Sequence, residues 1–176
     1  GSPEDMEDLE IEGLIVTDLV DTRAGLQQFM LVPGDYSSVR AELSRAGLPL
    51  PLGAPAELET SSLVVQGLTA SGRRFTIALD DEMDIDIVAA MGSFLVAPER
   101  SRLVLSFDIA QWFSDIDLDA LAPSSDGSVR VDADTNTDAL TAFEASFLGA
   151  LELGLDRNGN ATLDDDEERL ARGEAP

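Results

Sequence analysis

The stretch "RFTIALDDEMDIDIVAA", residues 74–90, sets the architecture. Phe75, Ile77 and Leu79 fall on one side of an extended chain. Beyond a run of acids, Met83, Ile85 and Ile87 alternate with Glu82, Asp84 and Asp86. A period of two over this length is the signature of half-buried strands, because successive side chains of a strand point to opposite faces. The same period recurs on either side. In "YSSVRAELS" (36–44), Val39, Ala41 and Leu43 oppose Ser38, Arg40 and Glu42. In "SRLVLSFDIAQWF" (101–113), Leu103, Leu105, Phe107 and Ile109 share a side. "SSLVVQGLTA" (61–70) reads as a further strand, and so do "EIEGLIVTDLV" (10–20) and "GLQQFMLVPGDY" (25–36). The turns between them carry Pro-Gly or Ser-Gly signals, and "AGLPLPLGAPAEL" (46–58) is too rich in Pro and Gly for a central strand. Short strands with turns at this spacing predict a mainly β fold, an antiparallel β-sandwich over residues 11–122.

After residue 113 the period changes. In "TDALTAFEASFLGALELGL" (137–155), Leu140, Phe143, Phe147, Leu148 and Leu151 follow helical spacing. Asn136, Thr137 or Asp138 is placed to cap the start, and Gly154 to end the helix. The expected organisation is therefore a flexible acidic leader at 1–10, the sandwich, and a helical segment at 123–176 packed on it.

The chain has 176 residues, enough for one domain with a substantial core. It carries 35 acids against 11 basic residues, all of them Arg, for a net charge of −24. Nucleic acid and anionic membranes repel such a chain, so neither is an expected partner. No apolar run approaches the ~20 residues of a membrane-spanning helix, so no direct membrane insertion is expected. The acid excess has three readings: a solvated surface suited to a saline habitat, a cation site, or disorder. Disorder is the weakest, because the apolar content is 44% and periodic. The absence of Cys and His removes disulfide scaffolds, zinc fingers, His-ligated metals and Cys–His or Ser–His–Asp catalysis.

One segment carries a positive chemical signal. "LDRNGNATLDDDEE" (155–168) places oxygen-bearing groups at alternate positions. Counted from Asp156, the first, third, fifth, seventh, ninth and twelfth places are Asp156, Asn158, Asn160, Thr162, Asp164 and Glu167. Ca²⁺ is a hard cation that takes about six to eight oxygens, and a loop of this spacing turns every second group inward. In an EF-hand-type calcium loop, which this spacing resembles, Thr162 would offer its carbonyl, Asp164 would act through water, and Glu167 would close the set with both oxygens. Leu163 is an apolar anchor in the eighth place. This pattern resembles the EF-hand family, including its dockerin-like single-loop forms, over roughly residues 138–172. The resemblance implies a helix entering the loop and a short helix, begun by "DDEERLA", leaving it. The chain departs from the family in the sixth place, where Ala161 stands in place of Gly and Gly159 lies two residues earlier. The plain alternative is a surface turn followed by an acidic helix start. Three other acidic runs, "DADTNTD" (132–138), "DDEMDID" (80–86) and "SDIDLDA" (114–120), read as turns, caps or solvated faces. Counted from Asp132, the twelfth place would be Phe143, which cannot ligate.

No phosphate loop, nucleophile elbow or metal-hydrolase motif is present, and carboxylate pairs mean little among 35 acids. No enzyme is expected, and Trp112 reads as core or rim. "LVPGDYSSVRAEL" (31–43), with "SSLVVQGL" and "LVLSFDIAQWF", is similar to uncharacterised bacterial extracytoplasmic lipoprotein domains. That resemblance implies a transthyretin- or immunoglobulin-like sandwich at the periplasm or cell surface. It also implies an N-terminal lipid anchor, for which this sequence holds no Cys. The function expected is a non-catalytic extracytoplasmic calcium-binding domain and interaction module. The alternative is a periplasmic carrier of a small molecule or metal with its ligand in the sandwich.

Overall fold

A computed structural model describes residues 33–50, 52–97, 102–160 and 162–173. The expected leader, the strand at 10–20 and most of the strand at 25–36 lie outside these residues. Within them the protein is mainly β, with ten strands and one α-helix, α1 at Thr137–Gly149.

The largest sheet is antiparallel and has five strands in the order β2-β5-β10-β9-β7. These are β2 Ser38–Leu43, β5 Met83–Ala89, β10 Arg169–Gly173, β9 Leu151–Leu155 and β7 Leu103–Phe107. A three-stranded sheet follows the order β3-β4-β8, from β3 Leu63–Leu68, β4 Arg74–Leu79 and β8 Val129–Val131. Its β4–β8 pair is parallel, whereas β3–β4 is antiparallel. A small ribbon pairs β1 Gly34–Tyr36 with β6 Phe94–Val96. The 74–90 stretch crosses between the two larger sheets. Its first half is β4, its second half is β5, and the switch falls at Asp80–Glu82. There the Ser61 hydroxyl donates to Asp80 Oδ1 at 2.8 Å, and the Ser62 hydroxyl donates to the Asp81 carbonyl at 2.6 Å.

The alternation read from the sequence is the burial pattern of the strands. Phe75, Ile77 and Leu79 are buried in β4, Ile85 and Ile87 in β5, and β2 alternates half-buried with exposed. In β7 the most buried residue is Val104, with Leu103, Leu105 and Phe107 half-buried, and the strand ends before Ile109. Residues 111–113 form a 3-10 turn, initiated by Asp108 Oδ1 accepting the Ala110 and Gln111 N–H groups. This turn carries Trp112 into the core, where it is 2% exposed. Trp112 packs edge-on against Phe107 and Phe143, and its centroid lies 5.2 Å from that of Phe147. Phe143 and Phe147 come from α1, so the helix and the 111–113 turn seal one continuous core with both larger sheets. Aromatic pairs of this kind add roughly 0.5–1.5 kcal/mol beyond the area they bury.

Two expectations about the C-terminal third are corrected. The helix ends at Gly149, not Gly154, and Leu151–Leu155 is strand β9. Leu151 fits a helical register, but Leu151 and Leu153 are also spaced two apart, and both are buried between β7 and β10. "DDEERLA" starts no helix: Arg169–Gly173 is β10, lying between β5 and β9. A chain with β5 on one side and β9 on the other satisfies its backbone donors and acceptors in the sheet. The expected split at residue 122 is also not followed by the sheets, since β8, β9 and β10 pair with strands from the 74–107 region.

Candidate metal-binding loop

The loop from Asp156 to Glu168 joins β9 to β10, so it is the connection of an antiparallel hairpin at the middle of the five-stranded sheet. This corrects the helix–loop–helix setting implied by the EF-hand resemblance. Both ends of the loop are tied to strands. Leu155 N–H donates to the Glu168 carbonyl at 3.0 Å, and Asp156 N–H to the Arg102 carbonyl at 2.9 Å.

Inside the loop, side-chain oxygens organise the backbone. Asp156 Oδ1 accepts the N–H groups of Gly159 at 2.6 Å and Asn160 at 3.1 Å. Asn158 Oδ1 accepts the Asn160 N–H, and Asn160 Oδ1 accepts the Thr162 N–H, at 2.9 and 2.8 Å. At the far end, Glu167 Oε1 accepts the Arg157 N–H at 2.7 Å and Oε2 the Asp164 N–H at 3.1 Å. The twelfth residue of the loop thus holds the backbone next to the first, at Arg157. Both are buried, Asp156 at 8% exposure and Glu167 at 6%. The Asn158 and Asn160 amides meet at one oxygen, Asp164 Oδ2, at 2.7 and 2.9 Å.

Three of the six expected positions, 158, 160 and 164, therefore meet through their side chains, while Asp156 and Glu167 bind the loop's backbone N–H groups. Thr162 is exposed and joins through its backbone N–H. The turn itself is made at Gly159, with φ 77°, two places earlier than an EF-hand loop makes it. Leu163 behaves as an anchor, because its side chain lies over Gly154 of β9, where a Cβ would collide with it and stand 2.7 Å from the Glu168 carbonyl.

Two arginines outside the first turn clamp the loop. Arg102 Nη1 donates to the Gly159 carbonyl at 3.3 Å. Arg169 Nη1 donates to the carbonyls of Asp164, Asp165 and Glu167 at 2.9, 3.2 and 3.0 Å, while its Nε reaches Glu152 Oε2 of β9 at 3.2 Å. Neither clamp was evident in the sequence, because each links residues that only the folded hairpin makes neighbours.

The donor set is chemically suited to a hard cation, being all oxygen with no nitrogen or sulfur ligand. Glu167 has a nearly buried carboxylate held by backbone N–H groups, and it makes no salt bridge among the described residues. A buried carboxylate favours a cation neighbour, since isolated charge in low dielectric is costly. Among the described residues, no three acidic, His or Cys side chains stand together as a preformed metal-binding group. The set at 156–167 leans on two amides between its carboxylates.

The other acidic runs have protein partners. Asp132 is buried and ion-paired with Arg130, and its Oδ1 accepts the Asp134 N–H at 3.0 Å. The carboxyl is pulled below its ordinary value: burial opposes the shift, and the Arg130 contact together with the Asp134 N–H outweighs it. Asn136 sits in the left-handed region at φ 55°. Its side chain does not cap the helix; it donates to the carbonyls of Arg130 and Ala122 at 2.7 and 3.2 Å. Asp119 is lowered to about 2, chiefly by the Ser71 hydroxyl at 2.6 Å and then by Thr69. Of the strand-face acids, Asp84 and Asp86 are exposed, as read. An open groove between β3 and the 109–119 segment is lined by Val65, Gly67, Phe75, Ile109, Phe113 and Leu118. No helix among the described residues is long and apolar enough to cross a membrane.

No protein-family model, no curated protein and no solved structure matches this chain.

Proposed function

We propose that the protein is a non-catalytic, extracytoplasmic calcium-binding domain whose 156–167 loop takes one Ca²⁺. The observation that carries this reading is the closure of the loop on itself. Asp156 and Glu167, one near each end, are both buried and accept backbone N–H groups of the loop's first turn, and Asn158 and Asn160 meet at Asp164. In this reading Asp156, Asn158, Asn160 and Glu167 hold the ion directly, Thr162 contributes its carbonyl, and Asp164 contributes through water. The ion supplies positive charge beside the buried Glu167 carboxylate. Arg102 and Arg169 keep the two halves of the loop in place, and Leu163 fixes it to β9.

The role is structural for the sheet and leaves the outer faces free to meet a partner protein. An extracytoplasmic location suits a loop of modest affinity, roughly 10⁻⁴ to 10⁻³ M as in extracellular modules. The lack of His and Cys and the absence of any catalytic motif support the non-catalytic part. Calorimetric titration with Ca²⁺, alongside Mg²⁺ and the Glu167→Gln variant, tests it. One saturable Ca²⁺ site in the native chain that the variant lacks supports the proposal. Equal heats from both cations, or an unchanged isotherm in the variant, overturn it.

A further inference from the structure

We draw no further inference here: the strongest candidate, the open apolar groove between β3 and the 109–119 segment, carries nothing, because nothing in the structure shows what covers it.

Discussion

Glu167→Gln separates the two contributions that the loop makes to stability. In the native chain both carboxylate oxygens accept backbone N–H groups, from Arg157 at 2.7 Å and from Asp164 at 3.1 Å, at a site 6% exposed. Gln keeps one oxygen, so one of these donors faces an amide NH₂. Leaving a buried donor without an acceptor costs about 1–3 kcal/mol. That loss is present with or without calcium. The second contribution requires the ion. At a free concentration ~100 times Kd, one site adds about 2.7 kcal/mol. For a chain of this size each kcal/mol moves Tm by roughly 2–4 °C, so calcium raises the native midpoint by roughly 5–11 °C.

The assay is thermal unfolding in EDTA and across a Ca²⁺ series to about 10 mM, roughly 100 times the tighter end of the expected Kd range, with Mg²⁺ and NaCl as controls. Those controls are needed because a net charge of −24 is stabilised by any added ion. The expected result is a lower midpoint for the variant in EDTA and no calcium-specific rise. Amide exchange gives a second reading. Slower exchange on adding Ca²⁺ is expected at Arg157, Asn158, Gly159 and Asn160, and in β10. A variant that keeps the calcium-specific rise refutes the reasoning, as does a native chain that responds equally to Mg²⁺.

Further substitutions test the surrounding geometry. Gly154→Ala forces a Cβ against Leu163 and the Glu168 carbonyl, so a loss of about 1–3 kcal/mol in chemical denaturation is expected; a neutral result would mean that Leu163 does not anchor the loop. Asn136→Ala loses two side-chain hydrogen bonds and leaves a β-carbon at φ 55°, whereas Asn136→Gly loses only the bonds. Ala should therefore be the worse of the two by about 1 kcal/mol, read from urea midpoints. Glu144 is raised above 4.5 by burial and then by Asp81, so it favours the folded state only while protonated. Glu144→Gln should accordingly stabilise at pH 7, with the gain vanishing below pH 4.5. Asp119 has the opposite sign: lowered from 3.8 to about 2, it stabilises above 3.8, and that stability is lost as pH falls toward about 2. Asp119→Asn should flatten the acid-unfolding profile in that window, and an unchanged profile would remove the Ser71 and Thr69 contacts as its cause.

The strands were legible wherever one face meets the core and the other meets water. β2 and β5 show that condition, and their side-chain alternation reads directly as burial. It failed where burial comes from both sides. In β9, Leu151, Leu153 and Gly154 are all buried, because β7 and β10 flank the strand and α1 precedes it without a loop. "LELGL" satisfies both a helical and an extended register, and the choice is made by the slot between β7 and β10, which no local pattern contains. β10 was hidden for a related reason. "RLARG" has weak strand propensity, and its small residues are selected by contact. Ala171 is fully buried, and a Cβ at Gly173 would run into the Leu148 carbonyl.

The loop shows the same division between local chemistry and tertiary setting. Its oxygen spacing was readable as a local pattern, of which the contacts of Asn158 and Asn160 with Asp164 Oδ2 join three positions. Its flanks were not, because acids ahead of "RLA" suit a helix start as well as they suit a solvated turn before a strand. The consequence of the hairpin setting is mechanical. β10 is the strand that joins the β2–β5 pair to the β9–β7 pair, and the loop is its root. Order in the loop fixes where β10 begins, through Arg169, whose guanidinium holds three loop carbonyls and Glu152 of β9 together. An EF-hand conveys its state through the angle between two helices; this loop has no helix to move. Whatever stiffens residues 156–167 is conveyed through strand pairing at the centre of the five-stranded sheet, which is why the amide exchange of β10 is the informative readout.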